Sequence, residues 1–363
     1  MSAPAPRSPA ERCRAQIAAI LGAWGMAAAP AAATAEIMTW TDLCGIDSHG
    51  ISLLPFYDMI RRKGQLDLRA SPRLQRDNGP TALIDARCGL GHPAALQAMQ
   101  LALGKAAAHG IGAVGVCNSH HFGAAGYYAA LAPERGMIGL VTSSARTVAV
   151  VPTFAAEPVL GTNPIAFAAP GGRNPPILLD MATSVVAANK VRVYAGKGEP
   201  IPPGWVVDGE GRAVTDSAEA LRYAMERPEG GLNPIGGTRE MGSHKGYGLA
   251  LMAQILAATL TGGSFSPSRP PAAPDNIGHF FLALDPAAFR PLADFTADLD
   301  AVVDTLHAAR PADPERKVLV AGDPERAAHA ERSANGIPLP EALRRQIRDI
   351  AEAAGVAYLL AEQ

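Results

Sequence analysis

Two adjacent histidines, His120 and His121, stand near the centre of residues 118–128, a segment that also holds small residues and two tyrosines. An imidazole titrates near neutral pH, so it can give a proton to a carbonyl oxygen or take one from a hydroxyl group. The glycines and alanines of residues 123–126 allow a flat ligand to approach the backbone closely. We therefore predict the proton-transfer end of an active site. Because neighbours on an extended segment point in opposite directions, we expect only one of the two histidines to face it.

A second histidine loop, residues 47–50, contains Ser48 and His49. A single loop histidine is commonly no more than a satisfied polar residue, and the local sequence is consistent with that alternative. Tyr57, however, follows two helical turns later on the same face, so it can bring a second polar group to the same pocket. The spacing thus favours a shared site for His49 and Tyr57.

Two further segments are typical of a cofactor site, and each has a structural alternative. Residues 179–184 place an acid, a methionine and two hydroxyls after an apolar strand, where they can bind a ribose, an amide or a flat ring. A helix N-cap explains the same pattern equally well. Residues 242–248 open an apolar helix, and the free amides together with Lys245 predict a phosphate site. The alternative is a solvated lysine on a glycine-rich turn. A third segment, residues 321–325, can likewise be a plain surface turn.

Two glycine patterns resemble dinucleotide-binding fingerprints. Residues 110–115 satisfy GxGxxG and residues 89–94 satisfy GxGxxA. A Rossmann site requires a strand, then the glycines, then a helix whose N-terminus faces the pyrophosphate. The first pattern follows a helix and precedes a strand, and the second has Pro93 in the predicted turn. Both are therefore interpreted as loop glycines.

The elements that must position these residues alternate between helical and extended patterns, which predicts an α/β fold with helix-rich ends and a strand-rich middle. Helices are predicted over 11–21, 31–43, 51–62, 94–109, 127–132, 247–260 and 342–354. Strands are predicted over 81–85, 113–117, 137–143, 165–168, 177–179 and 280–284, with a hairpin at 208–211.

Composition restricts the class of ligand. Of the 363 residues 48% are hydrophobic and 18% charged, and the net charge is -2, so nothing indicates a nucleic-acid or membrane partner and a small molecule is expected. The four cysteines have no metal-ligand spacing and are typical of a reducing compartment. With no signal or membrane-spanning pattern, a cytoplasmic protein without a metal is expected.

The order of the motifs along residues 35–340 resembles one family. DSHG, SHHFGAAGYYA, LGTNPIAFAAP, LDMATS, SHKGYGLALM, GHFFLALDP and AGDPER follow one another as in NAD(P)-dependent malate/L-lactate dehydrogenases. That family includes L-sulfolactate and ureidoglycolate dehydrogenases, diketogulonate reductases and piperideine-2-carboxylate reductases.

The resemblance implies a non-Rossmann, L-sulfolactate dehydrogenase-like α/β fold in a homodimer. After a flexible tail at 1–10, residues 11–122 and 278–363 would form a helix-rich substrate and dimerisation domain. Residues 123–277 would form an inserted NAD(P)-binding domain with a mixed sheet, and the active site would lie near the cleft.

The resemblance also implies roles for individual residues. His121 corresponds to the acid/base, while His49 competes with it as the proton donor. The implied substrate contacts are Ser48, Tyr57 and Arg146. The implied contacts to NAD or NADP are Ser144, Asp180, Met181, Ala182, Thr183, His244, Lys245, Gly322, Asp323 and Glu325.

One position departs from the family pattern. The family commonly has an arginine three residues after SHG, where it binds the substrate carboxylate, but this chain has Leu53. Leucine cannot replace a bidentate guanidinium. Either another cation, Arg146 or Arg192, takes its place, or the substrate is not a malate-like diacid.

The predicted function is hydride transfer between NAD(P)H and C2 of a 2-oxo or 2-hydroxy acid, with His121 moving the proton. Reduction of a cyclic imine-2-carboxylate is the alternative on the same scaffold. A ligand-binding paralogue without catalysis is a third hypothesis. The sequence decides neither between NADH and NADPH as the cofactor nor between the two directions of the reaction.

Overall fold

The computed structural model describes residues 5–269 and 275–360. Its helices are α1 (Ala10–Ala23), α2 (Ala28–Leu43), α3 (Leu54–Arg62), α4 (Gly91–His109), α5 (Ala125–Ala130), α6 (Ala188–Lys197), α7 (Ser217–Met225), α8 (Ser243–Gln254), α9 (Leu292–His307), α10 (Asp323–Asn335) and α11 (Glu341–Ala353). Its strands are β1 (Arg7–Ser8), β2 (Arg73–Asn78), β3 (Thr81–Gly89), β4 (Ile111–Ser119), β5 (Ile138–Ser143), β6 (Ile165–Ala169), β7 (Ile177–Met181), β8 (Val206–Val207), β9 (Ala213–Val214), β10 (Gly231–Leu232), β11 (Ile277–Leu284) and β12 (Ile337–Pro338).

A mixed seven-stranded sheet in the order β2-β3-β4-β11-β5-β6-β7 forms the centre of the fold. β3 and β4 are parallel and the other neighbours are antiparallel. β11 is apolar along most of its length because it lies in the middle of the sheet with both faces covered. The start of β11 pairs with the end of β4 on one side and with the end of β5 on the other. The residues that follow β4 and β5 therefore lie at the same edge of the sheet.

Helix α4 covers one face of this sheet through small side chains, including Ala94, Ala98 and Ala102. Small residues permit a close approach: at Gly112 a Cβ would collide with the carbonyl of Ala102. On α8, a single π-helical turn, Ile255–Thr259, continues the helix and packs against β11 and β5. The predicted helix over 247–260 is therefore present, with a change of helical type near its end.

Two smaller cores flank the sheet. Helices α1, α2, α3 and α11 share one hydrophobic cluster, which joins the two ends of the chain. β8, β9 and β10 form a small sheet that packs with α6 and α7 around Val206 and Leu232.

The predicted flexible tail differs from the structure in its second half. Arg7 and Ser8 pair with Pro338 and Ile337, and α1 begins at Ala10. Residues 1–4 of that prediction lie outside the described residues. The division into two domains stays a prediction, and the central sheet contains strands from both predicted segments, with β5 to β7 coming from residues 123–277.

Several elements were not predicted. β2 was missed because its six residues are all exposed and all but Leu74 are polar, so they carry no hydrophobic alternation. α9 and α10 were missed, and the 321–325 segment is not a simple turn, since α10 begins at Asp323. In the described part of the chain, none of the helices combines the length and the apolar character needed to span a bilayer.

The close packing of β11 gives a stability prediction. A Cβ at Gly278 would collide with the carbonyl of Ala257, so Gly278→Ala is expected to lower the free energy of unfolding by about 1–3 kcal/mol or more. Gly248 on α8 is the matched control, since a Cβ there meets nothing, and Gly248→Ala is expected to be stabilising by about 0.5–1 kcal/mol. Urea denaturation of the two variants measures the difference, and equal midpoints would contradict the packing described here.

Candidate active site

The histidine segment is positioned where β4 ends and α4 begins. Asn118 has a positive φ of 50°, a conformation that asparagine tolerates, and its backbone N–H donates to the side-chain oxygen of Asn276 at 2.6 Å. The chain then turns so that the carbonyl of His121 accepts a hydrogen bond from the N–H of Gly91, the first residue of α4, at 3.0 Å. A Cβ at position 91 would collide with the carbonyl of His120, so only glycine fits here. The N-terminus of α4 therefore binds the histidine segment.

This contact also explains the second glycine pattern. β3, Leu90 and α4 do follow in the order of a dinucleotide fingerprint, and Pro93 lies in the first turn of α4 rather than in a loop. The amide of Gly91 is nevertheless already bonded within the protein. The other pattern has the expected order, because Gly110 ends α4 in a left-handed conformation before β4 starts. Gly112 and Gly115, however, lie within β4, so they are strand residues and the prediction of loop glycines is wrong for them.

His121 is held in one tautomer. The N–H of Gly123 donates to Nδ1 of His121 at 3.2 Å, and the hydroxyl of Tyr57 lies 2.9 Å from the same nitrogen. Because an amide can only donate, Nδ1 is an acceptor and the ring hydrogen is on Nε2. Nε2 makes no hydrogen bond within residues 5–269 and 275–360, so it is free to meet a ligand.

His49 lies beside His121, with 5.3 Å between the ring centroids. Nδ1 of His49 lies 2.7 Å from the hydroxyl of Ser48. Burial lowers the pKa of His49, and it lowers the pKa of His121 well below the ordinary value, with neighbouring histidines adding to the effect. Both imidazoles are therefore neutral near pH 7.

The loop that carries His49 rests on a buried carboxyl group. Asp42 on α2 accepts a hydrogen bond from the N–H of Ile51 at 2.8 Å, and its carboxyl occupies the space where a Cβ of Gly50 would lie. Arg332 of α10 donates both to the backbone carbonyl of Asp42 and to the side chain of Asp47. Burial raises the pKa of Asp42 to about 8. Sequence reasoning missed Asp42 and Arg332, which lie 290 positions apart.

A cavity of about 260 Å³ lies in front of His121. Both His120 and His121 border it, but the side chain of His120 is only 1% exposed whereas His121 is partly exposed. That only one of the pair faces the site therefore stays a prediction, with His121 the more exposed of the two. The other lining residues are His49, Phe56, Phe122, Gly123, Ser143, Ser144, Ala145, Arg146, Thr147, Thr162, Pro164, Asp275 and Ile277.

A second cavity, of about 430 Å³, adjoins the first, and both are bordered by His49 and Gly123. Asp180, Met181, Ala182 and Glu325 also line it, as does Ser48. Oδ2 of Asp180 accepts a hydrogen bond from the N–H of Gly126 at 2.7 Å, which joins β7 to the start of α5. The pKa of Asp180 is raised to about 6, because burial raises it more than the Gly126 bond lowers it, and the neighbouring Glu325 adds to the rise.

Not every predicted cofactor residue reaches these two cavities. Thr183 is buried, and its N–H and hydroxyl both donate to the carbonyl of Thr162. Asp323 pairs with His307 and Arg326 at the start of α10, directly after Gly322. His244 and Lys245 are exposed at the start of α8, and neither borders the two cavities.

Two buried histidines behind the site were not predicted. His279 lies between Ser143 and Ser119, at 2.8 and 2.9 Å, and stacks on Phe122 with 4.3 Å between centroids. His92 packs edge-on against the ring of Tyr57, and neither of its nitrogens has a hydrogen-bond partner among the described residues. Burial lowers the pKa of each to about 3, with nearby histidines lowering that of His92 further. The GHFF motif was a signal for His279, but nothing in the local sequence marked His92.

The cations considered as replacements for position 53 lie in different places. Arg146 borders the first cavity, with Nε 2.7 Å from Oδ2 of Asp275. Arg192 is exposed on α6 and donates to Asn189. Leu53 packs against the hydrophobic cluster of the helical ends. Within the described ranges there is no group of three or more His, Cys, Asp or Glu side chains suited to a metal ion.

Known proteins resemble this chain along most of its length. A family model described as malate/L-lactate dehydrogenase matches residues 8–348. The malate dehydrogenase of Pyrococcus horikoshii is 36% identical over 356 residues, which cover 97% of each chain. The (2R)-3-sulfolactate dehydrogenase (NADP(+)) of Chromohalobacter salexigens is 36% identical over 276 residues, covering 75% of this chain and 78% of that protein. The solved structure of delta1-piperideine-2-carboxylate reductase from Pseudomonas syringae superimposes with a TM-score of 0.81 and 29% identity, covering 95% of this chain and all of that one (100%).

The buried neutral histidines give a pH prediction. The folded-state pKa of His92 lies below its unfolded value, so its contribution to stability is present above pH 6.5 and is lost as the pH falls towards 3. Between pH 6.5 and 5 this amounts to about 2 kcal/mol. Between pH 7 and pH 5 the free energy of unfolding of His92→Gln is therefore expected to fall by about 2 kcal/mol less than that of the unchanged protein. Urea denaturation at both pH values measures this, and parallel losses would show that His92 is charged in the folded protein.

Proposed function

This chain belongs to the malate/L-lactate dehydrogenase family, and from that membership we propose that it transfers a hydride between a nicotinamide cofactor and C2 of a small 2-oxo or 2-hydroxy acid. The resemblance and the α/β fold predicted from the motifs are thereby confirmed. The observation that carries the proposal is the position of His121. Its unpaired Nε2 belongs to a ring that borders a small cavity, beside a larger cavity lined by Asp180 and Met181.

The larger cavity suits the nicotinamide end of a cofactor. Small residues, Ala124, Ala125 and Ala182, leave room for a flat ring, and Met181 offers an apolar contact. The carboxylate of Asp180 supplies a polar partner for an amide. When bound, the cofactor supplies or accepts the hydride, and every remaining task falls to the protein. We propose Asp180, Met181, Ala182 and Glu325 as the residues that hold it.

We propose His121 as the proton donor in the reducing direction. Its Nε2–H would donate to the oxygen of the oxo group as the carbon is reduced, so that this oxygen becomes the hydroxyl group on C2 of the product, and a proton from solvent would then restore Nε2–H. The ring is neutral, so electron density grows on it as the proton departs. The bonds to Nδ1 from Gly123 and Tyr57 would stabilise that density. In the oxidising direction the hydroxyl proton would return to the same ring.

His49, Ser48 and Tyr57 are proposed to position the substrate and His121. His49 borders both cavities, so it stands where the reduced carbon and the nicotinamide would meet. Burial raises the pKa of Tyr57 well above its ordinary value, so its hydroxyl keeps its proton and can donate to His121. We assign the proton to His121 rather than His49 because two donors hold the ring of His121 in one tautomer.

Reduction of a cyclic imine-2-carboxylate is the second candidate. It is favoured by the structural likeness to delta1-piperideine-2-carboxylate reductase. An imine nitrogen can arrive already protonated, in which case His121 would not be needed as a donor. Parallel assays with 2-oxobutanoate and with delta1-piperideine-2-carboxylate, each with NADH and NADPH, would separate the two functions and identify the cofactor.

Three finer points also remain proposals. We propose that His244 and Lys245, at the N-terminus of α8, contact a cofactor phosphate. We propose contacts to the cofactor from Ser144, Thr183, Gly322 and Asp323 on the basis of the family resemblance. We propose a homodimer, which light scattering of the purified protein would test.

The proposed role of His121 gives a kinetic prediction. His121→Ala is expected to lower kcat for an oxo acid by about two to four orders of magnitude, as is typical of a lost general acid, while the cofactor still binds. His109→Ala is the control, because His109 is exposed in the last turn of α4 and should leave kcat unchanged. Stopped-flow turnover and nicotinamide fluorescence measure the two effects. Near-normal turnover in His121→Ala would rule out the assignment.

The same assay addresses the hypothesis of a protein without catalysis. Quenching of nicotinamide fluorescence with no turnover of any oxo acid or cyclic imine, in the unchanged protein, would support a ligand-binding paralogue and contradict the proposed reaction.

A further inference from the structure

A buried carboxylate flanked by two arginines closes one side of the first cavity. The side chain of Asp275 is only 3% exposed, and it pairs with Arg146 through Oδ2 and with Arg269 through Oδ1. Nδ1 of His120 lies 3.6 Å from Oδ2. Two guanidinium groups and one carboxylate leave this cluster with one net positive charge. A buried charge requires partners, so Asp275 and the arginines hold one another in place.

Arg146 keeps capacity for a ligand. Its contact with Asp275 runs through Nε and is an ion pair without hydrogen-bond alignment. Its terminal nitrogens have no hydrogen-bond partner within the described ranges, and its side chain is 34% exposed towards the cavity that His121 also borders. A guanidinium oriented through Nε presents its two remaining nitrogens as a fork, the geometry that binds a carboxylate.

Among the described residues that line this cavity, Arg146 is the only arginine or lysine. His49, His120 and His121 also border the cavity, and burial lowers the pKa of each, so they are neutral near pH 7. Arg146 is thus the one cationic group among the described lining residues. The larger adjoining cavity adds the acidic side chains of Asp180 and Glu325. Arg269 lines a smaller adjoining cavity, where it is already paired with Oδ1 of Asp275. A second acid group on a substrate would lose its hydration without gaining a partner.

We propose that Arg146, oriented by Asp275, binds the substrate carboxylate in place of the arginine that this chain lacks at position 53, and that the site selects acids with a single negative charge. The inference rests on the proposed function and narrows its substrate class. The rest of the substrate would contact Phe56, Phe122 and Ile277, which favours an uncharged, apolar side chain. Asp275 is a positioning residue in this proposal, because it acts through Arg146.

The test compares two substrates that differ at one group, which is uncharged in one and negatively charged in the other. 2-Oxobutanoate and oxaloacetate have the same carbon skeleton, with a methyl group in one where the other has a carboxylate. We expect kcat/KM for 2-oxobutanoate to exceed that for oxaloacetate by about 10- to 100-fold, the range expected for one charged hydrogen-bonded partner. A kcat/KM for oxaloacetate equal to or greater than that for 2-oxobutanoate would overturn the inference.

Variants separate the role of Arg146 from general damage to the fold. Arg146→Ala is expected to lower kcat/KM for 2-oxobutanoate by about 10- to 100-fold, mainly through KM, and Arg146→Lys is expected to restore part of the loss. Arg192→Ala is the matched control, because Arg192 is exposed on α6 and does not border the cavity. Equal effects of Arg146→Ala and Arg192→Ala would overturn the inference.

Asp275→Asn tests the role of Asp275 through the ratio of two kcat/KM values. A loss of stability would leave this ratio unchanged, because it lowers both values equally. The substitution raises the net charge of the cluster from one to two, so the ratio of kcat/KM for oxaloacetate to that for 2-oxobutanoate is expected to rise about tenfold. An unchanged ratio would show that Asp275 has no part in charge selection and would overturn this half of the inference.

A binding measurement keeps the inference distinguishable from the proposed function. Oxamate and oxalate have nearly the same shape and differ in charge, so calorimetric titration reports on charge selection without any turnover. Tighter binding of oxamate by at least about tenfold, with no acid or imine reduced, would overturn the proposed reaction and support the charge selection. Equal or tighter binding of oxalate would overturn the charge selection whether or not the protein reduces oxo acids.

Discussion

The hydrogen bond from the N–H of Gly91 to the carbonyl of His121 is the contact on which the site depends. It joins the first residue of α4 to the segment that leaves β4, and it requires glycine because a Cβ would collide with the carbonyl of His120. In the parallel unit of β3, α4 and β4, the start of α4 is thus hydrogen-bonded to the segment that follows β4. The amide of Gly91 at the N-terminus of this helix therefore donates to the protein's own backbone. In a dinucleotide-binding fold the corresponding amide would donate to a phosphate. The same contact places His121 against Tyr57 and His49.

Desolvation sets the chemistry of this site. The histidines in and behind the first cavity are neutral near pH 7 because burial disfavours their charged forms. In the proposed reaction a neutral His121 with its hydrogen on Nε2 is the donor, and its developing charge would be spread towards Gly123 and Tyr57. With the imidazoles neutral, the charge of the cavity is decided by Arg146 and Asp275 alone among the described lining residues. In the proposed reaction one group, His121, would transfer the proton, and another, Arg146, would bind the charge of the substrate.

The elements that could be predicted from sequence are those with strong periodicity. Helices such as α4 and strands such as β11 bury apolar side chains at regular spacing, and both were expected close to where they lie. β2 carries only exposed residues, all polar except Leu74, and its place in the sheet comes from pairing with β3. α10 begins at a Gly-Asp-Pro sequence that is equally typical of a turn, and it buries none of its residues. Local patterns fail where an element is defined by its neighbours.

The sequence by itself determined the family, the α/β class and the residues able to carry the reaction, because the motifs and their order need no knowledge of contacts. Only the tertiary structure decided which of these residues meet. It brought His120 to the cavity beside His121, left His244 and Lys245 outside it, and assembled Asp42, His92 and Asp275 around the site from distant parts of the chain. Some of these residues also contact distant parts of the chain: Arg332 binds the carbonyl of Asp42 across 290 positions. Their burial, and hence their charge, follows from packing that no local spacing encodes.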